Sequence, residues 1–126
     1  MGNRHRAREI AIMLLYQHEA TGIAIDRVLE DYFNGHPVNP DTKRFAEELV
    51  SGTASHIKDI DVVLERTSEH WSLERILPVD LAIIRLAAFE IIHFGTAPAI
   101  AINEAVCLAK RYSSDKASSF INGVLD

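Results

Sequence analysis

The segment at residues 79–94, VDLAIIRLAAFEIIHF, constrains the fold of this chain more than any other. Its polar side chains are Asp80, Arg85, Glu90 and His93. Pro78 before it suits the first turn of a helix, and Gly95 after it is a typical helix stop. The segment is longer than a usual strand of about 3–10 residues, and too short and charged to span a bilayer. A helix that is apolar on nearly every side must be surrounded by other elements, so the segment predicts the central helix of an all-α fold.

Apolar spacing predicts further helices on both sides of this segment. Residues 3–20 carry one stripe with helical periodicity, formed by Ala7, Ile10, Ala11, Leu14 and Leu15. More helices are expected at residues 26–33, 40 to about 55, about 59–70, 98 to about 111, and from a Ser113 or Ser114 cap to the C-terminus. A short turn is expected at 73–77, and the sequence leaves open whether the fourth helix continues the third or restarts near His56. The predicted fold class is all-α, a compact single-domain bundle of six or seven helices.

Length and cysteine content narrow the class of protein. A chain of 126 residues has room for one domain with a core, so we expect a single domain over residues 1–126. The one cysteine, Cys107, cannot form an internal disulfide, which fits a reducing compartment. The first residues are charged and lack the apolar core of a signal peptide. We therefore expect a cytoplasmic protein without membrane association.

The N-terminus is basic, although the formal net charge of the chain is −5. Arg4, Arg6 and Arg8 precede or accompany the stripe of the first helix and face only Glu9 as a nearby acid. Exposed cations at a helix start oppose the macrodipole by about 0.3–1 kcal/mol each, so helix stability does not explain them. An anionic ligand would explain them, and the alternative is a frayed, solvated arm.

Sequence motifs typical of enzyme active sites are incomplete or better explained otherwise in this chain. His18 and Glu19 begin an HExxH pattern, but Gly22 stands where the second histidine belongs. Residues 113–116 match SxxK by letters, although a helix cap explains the serines better. Cys107 lies in a helical segment and is more typical of a small core residue than of a nucleophile. We expect no catalytic activity, no cofactor and no metal site.

Three stretches resemble the NusB family of bacterial transcription antitermination factors: AREIAIMLLYQ at 7–17, VDLAIIRLAAFEI at 79–91, and AIAINEAVCLAKRYSSDKASSFINGVLD at 99–126. The AINEA run and the FINGVLD ending are the most specific. The resemblance implies a helical RNA-binding protein that pairs with NusE, a small-subunit ribosomal protein, on boxA-type single-stranded RNA. It implies assembly with other Nus factors on RNA polymerase, chiefly in ribosomal RNA operons. It also implies a homodimer that can hide the RNA surface.

Carried over by position, the resemblance implies an RNA surface at Arg4, Arg6 and Arg8 and in the region from Lys110 to Phe120. Within that region the side chains expected to bind RNA are Lys110, Arg111, Lys116 and Phe120. Cations hold the phosphates of single-stranded RNA, and aromatic faces stack on its bases. For Phe120 a core role is an equal alternative, and for Tyr112 a core role is favoured. The basic arm departs from the family in being thin, with His5 between arginines, and Lys116 adds a cation where relatives can be acidic.

Two charged residues of the central helix have their own expectations. Asp80 matches the NusE-facing side of the family, and its alternative role is that of an anion suited to a helix start. For Arg85 an internal ion pair is favoured over RNA contact.

Two other classes of function remain open. The same module resembles the N-terminal accessory domain of some ribosomal RNA cytosine methyltransferases, which need a following cofactor-binding domain that this sequence does not contain. A helical protein-interaction module without an RNA role would suit the acidic body of the chain. RNA binding measured with and without NusE separates these three interpretations.

Overall fold

The computed structural model describes residues 3–67 and 76–125, except for the side chains at 67, 116, 120 and 124. All regular secondary structure in this part is helical: α1 (Asn3–Thr21), α2 (Ile25–Gly35), α3 (Pro40–Ser55), α4 (Ile57–Thr67), α5 (Pro78–Phe89), a π-helical turn (Glu90–Phe94), α6 (Pro98–Tyr112) and α7 (Asp115–Leu125). The prediction of an all-α fold with six or seven helices is confirmed. None of the described helices is long and apolar enough to cross a membrane.

The boundaries between elements follow the predicted signals closely. A turn at His56 separates α3 from α4, so the fourth helix restarts rather than continuing the third. Pro78 occupies the first turn of α5, where its missing N–H costs no hydrogen bond. The predicted extension of α4 beyond residue 67 and most of the turn at 73–77 lie outside the described residues.

The chain divides into two compact units, Met1–Ser55 and His56–Asp126. In the first unit α1 packs on α3, and both helices contact α2. The stripe predicted for α1 is confirmed as its buried face: Ala7, Ile10, Ala11, Leu14 and Leu15 are all at most 6% exposed. Apolar residues of α3, among them Leu49 and Val50, complete this core. The single domain expected over residues 1–126 stays a prediction.

In the second unit α5 contacts α4, α6 and α7, which makes it the central helix there. Ile83, Ile84 and Leu86 are at most 2% exposed, as an apolar helix requires. At Glu90 the helix passes into the π-helical turn, which ends at Gly95 in the left-handed region with φ 85°. The predicted stop at Gly95 is therefore confirmed, because an L side chain is strained at this φ.

Candidate nucleic-acid interface

The three arginines of α1 lie in different environments, although the sequence treats them alike. Arg4 and Arg6 are exposed, whereas Arg8 is only 4% exposed. Arg8 lies one turn after Arg4 on the side of α1 that packs on α3, and its Cζ is 5.4 Å from the ring centroid of Phe45. A cation that binds phosphate must reach the solvent. The burial of Arg8 is therefore at odds with its predicted phosphate contact, while Arg4 and Arg6 remain suited to theirs.

Glu9 lies close to two basic side chains at the start of α1. Its Oε1 lies 3.7 Å from Nη1 of Arg6, and its Oε2 lies 3.9 Å from Nε2 of His5. Glu9 is itself only 9% exposed, so its carboxylate is packed beside these two side chains. Since α1 begins at Asn3 and its first turn is packed in this way, the alternative of a frayed arm is wrong for the described residues.

The second unit presents cations at the C-terminal end of α6. Lys110 and Arg111 are exposed in its last turn, where positive charge suits the helix dipole. Tyr112 follows them and is 44% exposed, with Cζ of Arg111 5.6 Å from its ring centroid. The core role favoured for Tyr112 is therefore wrong. An exposed aromatic ring beside a cation is suited to stacking on single-stranded RNA.

The backbone of Lys116 and Phe120 lies in α7, but their side chains lie outside what the structure describes. Their predicted contacts with RNA stay predictions. Ser114 caps this helix, because its Oγ accepts a hydrogen bond of 3.0 Å from the backbone N–H of Ala117. The interpretation of Ser114 as a cap is confirmed. Cys107, by contrast, was predicted to be a core residue and is exposed, so that prediction is wrong.

The two charged residues of α5 have distinct environments. Asp80 lies in the first turn and is 4% exposed, and within the described part of the chain its Oδ1 has no hydrogen-bond partner. Such burial favours the role at the helix start over the predicted contact with NusE. Arg85 donates from Nε and Nη2 to the two carboxylate oxygens of Asp61 at 2.9 and 2.8 Å. The internal ion pair favoured for Arg85 is confirmed, so this guanidinium is engaged within the second unit.

The basic residues thus form two groups, one in each unit. The α1 group consists of Arg4 and Arg6 in the first unit, and the α6 group consists of Lys110, Arg111 and Tyr112 in the second. Their union in one RNA surface stays a prediction. Among the described residues, no three His, Cys, Asp or Glu side chains come together as metal ligands.

An all-helical fold that exposes cations and an aromatic ring is compatible with the class of helical nucleic-acid-binding proteins. Residues 5–126 match the family model of the NusB family. The transcription antitermination protein NusB of a Nitratiruptor species is 39% identical over 126 residues, which cover 100% of this chain and 91% of that protein. The NusB of an Exiguobacterium species is 41% identical over 123 residues, which cover 97% and 93%. The chain therefore belongs to the NusB family.

Solved structures of the same family share the fold. A crystal structure of the antitermination factors NusB and NusE in complex with double-stranded RNA matches with a TM-score of 0.90 and 29% identity, over 99% of this chain and 94% of that one. The solution structure of NusB from Aquifex aeolicus matches with a TM-score of 0.87 and 30% identity, over 99% and 86%. The family resemblance carried by the three sequence stretches is thereby confirmed.

Proposed function

We propose that this chain is a transcription antitermination factor that binds boxA-type single-stranded RNA together with NusE. The observation that carries the proposal is similarity over nearly the whole chain to proteins named for antitermination, at about 40% identity. A second support is the likeness to a NusB solved with NusE and RNA. In this role the protein has no catalytic activity and works in the cytoplasm. It joins other Nus factors and RNA polymerase through the RNA and promotes ribosomal RNA transcription.

The α1 and α6 groups supply side chains suited to this role. The guanidinium groups of Arg4 and Arg6 and the cations of Lys110 and Arg111 can neutralise phosphates. Tyr112 offers a ring on which a base can stack. Neither group requires a metal or a cofactor, because electrostatic attraction and stacking hold single strands without either.

The test is a titration of fluorescent RNA, followed by anisotropy, with and without purified NusE. Three probes are compared: single-stranded boxA RNA, a scrambled strand of equal composition, and a duplex that contains boxA. We expect the single boxA strand to bind more tightly than both others, and NusE to raise its affinity. A preference for the duplex would overturn the single-strand assignment. NusE binding without RNA binding under either condition would instead favour a protein-interaction module.

The role in transcription needs its own measurement. Purified RNA polymerase and Nus factors transcribe a template with a boxA site followed by a terminator, with and without this protein. We expect more readthrough when the protein and boxA are both present, and unchanged readthrough when boxA is scrambled. Sedimentation with and without boxA RNA then tests the proposed homodimer, which should give way to a monomer–RNA complex if dimerisation hides the RNA surface.

A further inference from the structure

Phe45, on α3 in the first unit, is an aromatic residue that two arginines of α1 share. Its side chain is 7% exposed. The Cζ atom of Arg4 lies 4.3 Å from its ring centroid, and the Cζ atom of Arg8 lies 5.4 Å from it. Arg4 and Arg8 are four residues apart, so they lie on the same face of α1. The ring therefore supports a pair of cations and is not available as a stacking face for RNA.

The electrostatics of this contact favour a fixed position for Arg4. Two like charges four residues apart on a helix repel each other, and the negative face of an aromatic ring offsets part of that repulsion. A guanidinium stacks through its flat face and donates hydrogen bonds through its edges. Arg4 can therefore rest on Phe45 and still bind a phosphate, because it is exposed whereas Arg8 is buried.

We propose that Phe45 is a positioning residue for RNA binding, which holds the guanidinium of Arg4 at the surface of the first unit ready to receive a phosphate. The inference rests on the proposed RNA-binding function. Fixing a long side chain in advance lowers the conformational entropy that is lost when RNA binds. Phe45 thus raises the affinity for RNA without contacting RNA itself.

The rival explanation is that Phe45 serves only the packing of α1 on α3. In that case its replacement changes the stability of the protein but leaves the RNA affinity of the folded protein unchanged. A double-mutant cycle separates the two explanations, because a residue that acts through Arg4 has no effect once the guanidinium of Arg4 is removed.

The cycle compares the parent, Arg4→Ala, Phe45→Leu and the double variant. The affinity for single-stranded boxA RNA is measured with NusE present, well below the melting temperature of each protein. Phe45→Leu keeps an apolar side chain but removes the ring, and we expect about two- to fivefold weaker binding. In the Arg4→Ala background the same substitution should cause no further loss. Equal losses in both backgrounds, or no loss in the parent background, would overturn the proposal.

Two further variants keep the test decisive if Phe45→Leu does not fold. Phe45→Tyr retains the ring and should bind RNA like the parent, so a clear loss with folding intact would contradict the proposal. Arg4→Lys keeps the charge but lacks the flat face, and it should bind more weakly than the parent. Parental affinity in Arg4→Lys would show that the stacked geometry is irrelevant.

A matched control lies on α2 in the same unit. Phe33 also has a cation near its ring, with Nζ of Lys43 5.7 Å from the centroid, but that cation belongs to α3 and not to the α1 group. Phe33→Leu should leave RNA affinity unchanged. A parent protein that binds no RNA would refute the proposed function itself, and this result is seen before any variant is made.

Discussion

The start of α1 and the end of α6 both expose cations, but the first is a helix N-terminus and the second a helix C-terminus. At the start of α1 the positive charges oppose the dipole, and there Arg4 lies on the ring of Phe45 while Arg6 lies 3.7 Å from the carboxylate of Glu9. At the end of α6 Lys110 and Arg111 sit where the dipole favours them. The comparison teaches that cations at the unfavourable helix terminus can be stabilised by partners from the fold, whereas the dipole itself stabilises cations at the favourable terminus.

This difference predicts different consequences for RNA binding. Side chains held in advance lose less entropy on binding, so Arg4, whose guanidinium lies on the ring of Phe45, should contribute affinity through its fixed position as well as its charge. The α6 group should act mainly through charge and through the exposed ring of Tyr112. The variants below test the contrast, from the largest expected effect to the smallest.

The largest effect is expected from disrupting α5, the helix against which α6 packs. Ile84 is fully buried in α5, so Ile84→Asp places a charge in a packed interior at a cost of several kcal/mol, comparable with the stability of a small domain. Circular dichroism should show loss of the cooperative melting transition, and RNA affinity should fall with it. The matched control is Leu77→Asp, at a residue that is 61% exposed just before α5, and it should melt like the parent. If Ile84→Asp melts within a few degrees of the parent, the central position of α5 is wrong.

The buried faces of α1 and α5 were predictable because apolar residues recur at helical spacing in both segments. The π-helical turn at Glu90 was not predictable, since apolar spacing does not distinguish a π-helical turn from the last turn of an α-helix. Within it the buried Glu90 accepts a hydrogen bond of 3.0 Å from Oγ1 of Thr96, a partner beyond the helix stop. Periodicity carries no information about such a contact.

The exposure of most cations in the candidate site was predictable from residue type, but the burial of Arg8 and the exposure of Tyr112 were not. Arg8 is buried because α3 offers it Phe45, a tertiary contact that the residue type does not reveal, as arginines are mostly exposed. Tyr112 continues the spacing of Leu108 and Ala109 but is exposed, because α6 ends at this residue and its last turn reaches the solvent. Errors of this kind arise where the end of a helix or a distant aromatic residue decides burial.

Salt titrations compare the two groups directly. Arg4→Ala with Arg6→Ala, and separately Lys110→Ala with Arg111→Ala, should each weaken boxA binding with NusE present. Each lost phosphate contact should reduce the slope of log affinity against log salt by about 0.7. If the α1 group is fixed in advance, its double variant should lose more affinity at the same change in slope.

The controls for these titrations are exposed cations outside both groups. Arg27→Ala in the first unit and Lys58→Ala in the second should keep the parental slope and affinity. Should the α1 double variant behave like Arg27→Ala, the proposed surface lies elsewhere, and the interaction-module function gains support.

Tyr112 distinguishes stacking from charge within the α6 group. Tyr112→Leu removes the ring, and the lost stacking is worth about 1–3 kcal/mol per base, so affinity should fall while the salt slope stays parental. Tyr112→Phe keeps the ring and should bind like the parent. Because the residue is 44% exposed, neither change should lower the melting temperature appreciably. Equal RNA affinities of Tyr112→Leu and Tyr112→Phe would show that Tyr112 does not stack on a base.

The smallest effect is on protein stability rather than on RNA binding. It tests whether the helix dipole favours cations at the end of α6 and disfavours them at the start of α1. Lys110→Ala removes a cation from the C-terminus of α6, where the dipole favours it, and should lower the free energy of unfolding by about 0.3–1 kcal/mol at low salt. Arg6→Ala removes a cation from the N-terminus of α1, where the dipole disfavours it, and also removes its contact with Glu9. These two changes have opposite effects on the free energy of unfolding and should nearly cancel. Urea denaturation at low and high salt measures both, and the Lys110→Ala difference should shrink as salt screens the dipole. If instead Arg6→Ala is the more destabilising of the two at low salt, the ion pair with Glu9 contributes more to stability than the helix dipole costs. The dipole would then not decide the stability of the start of α1.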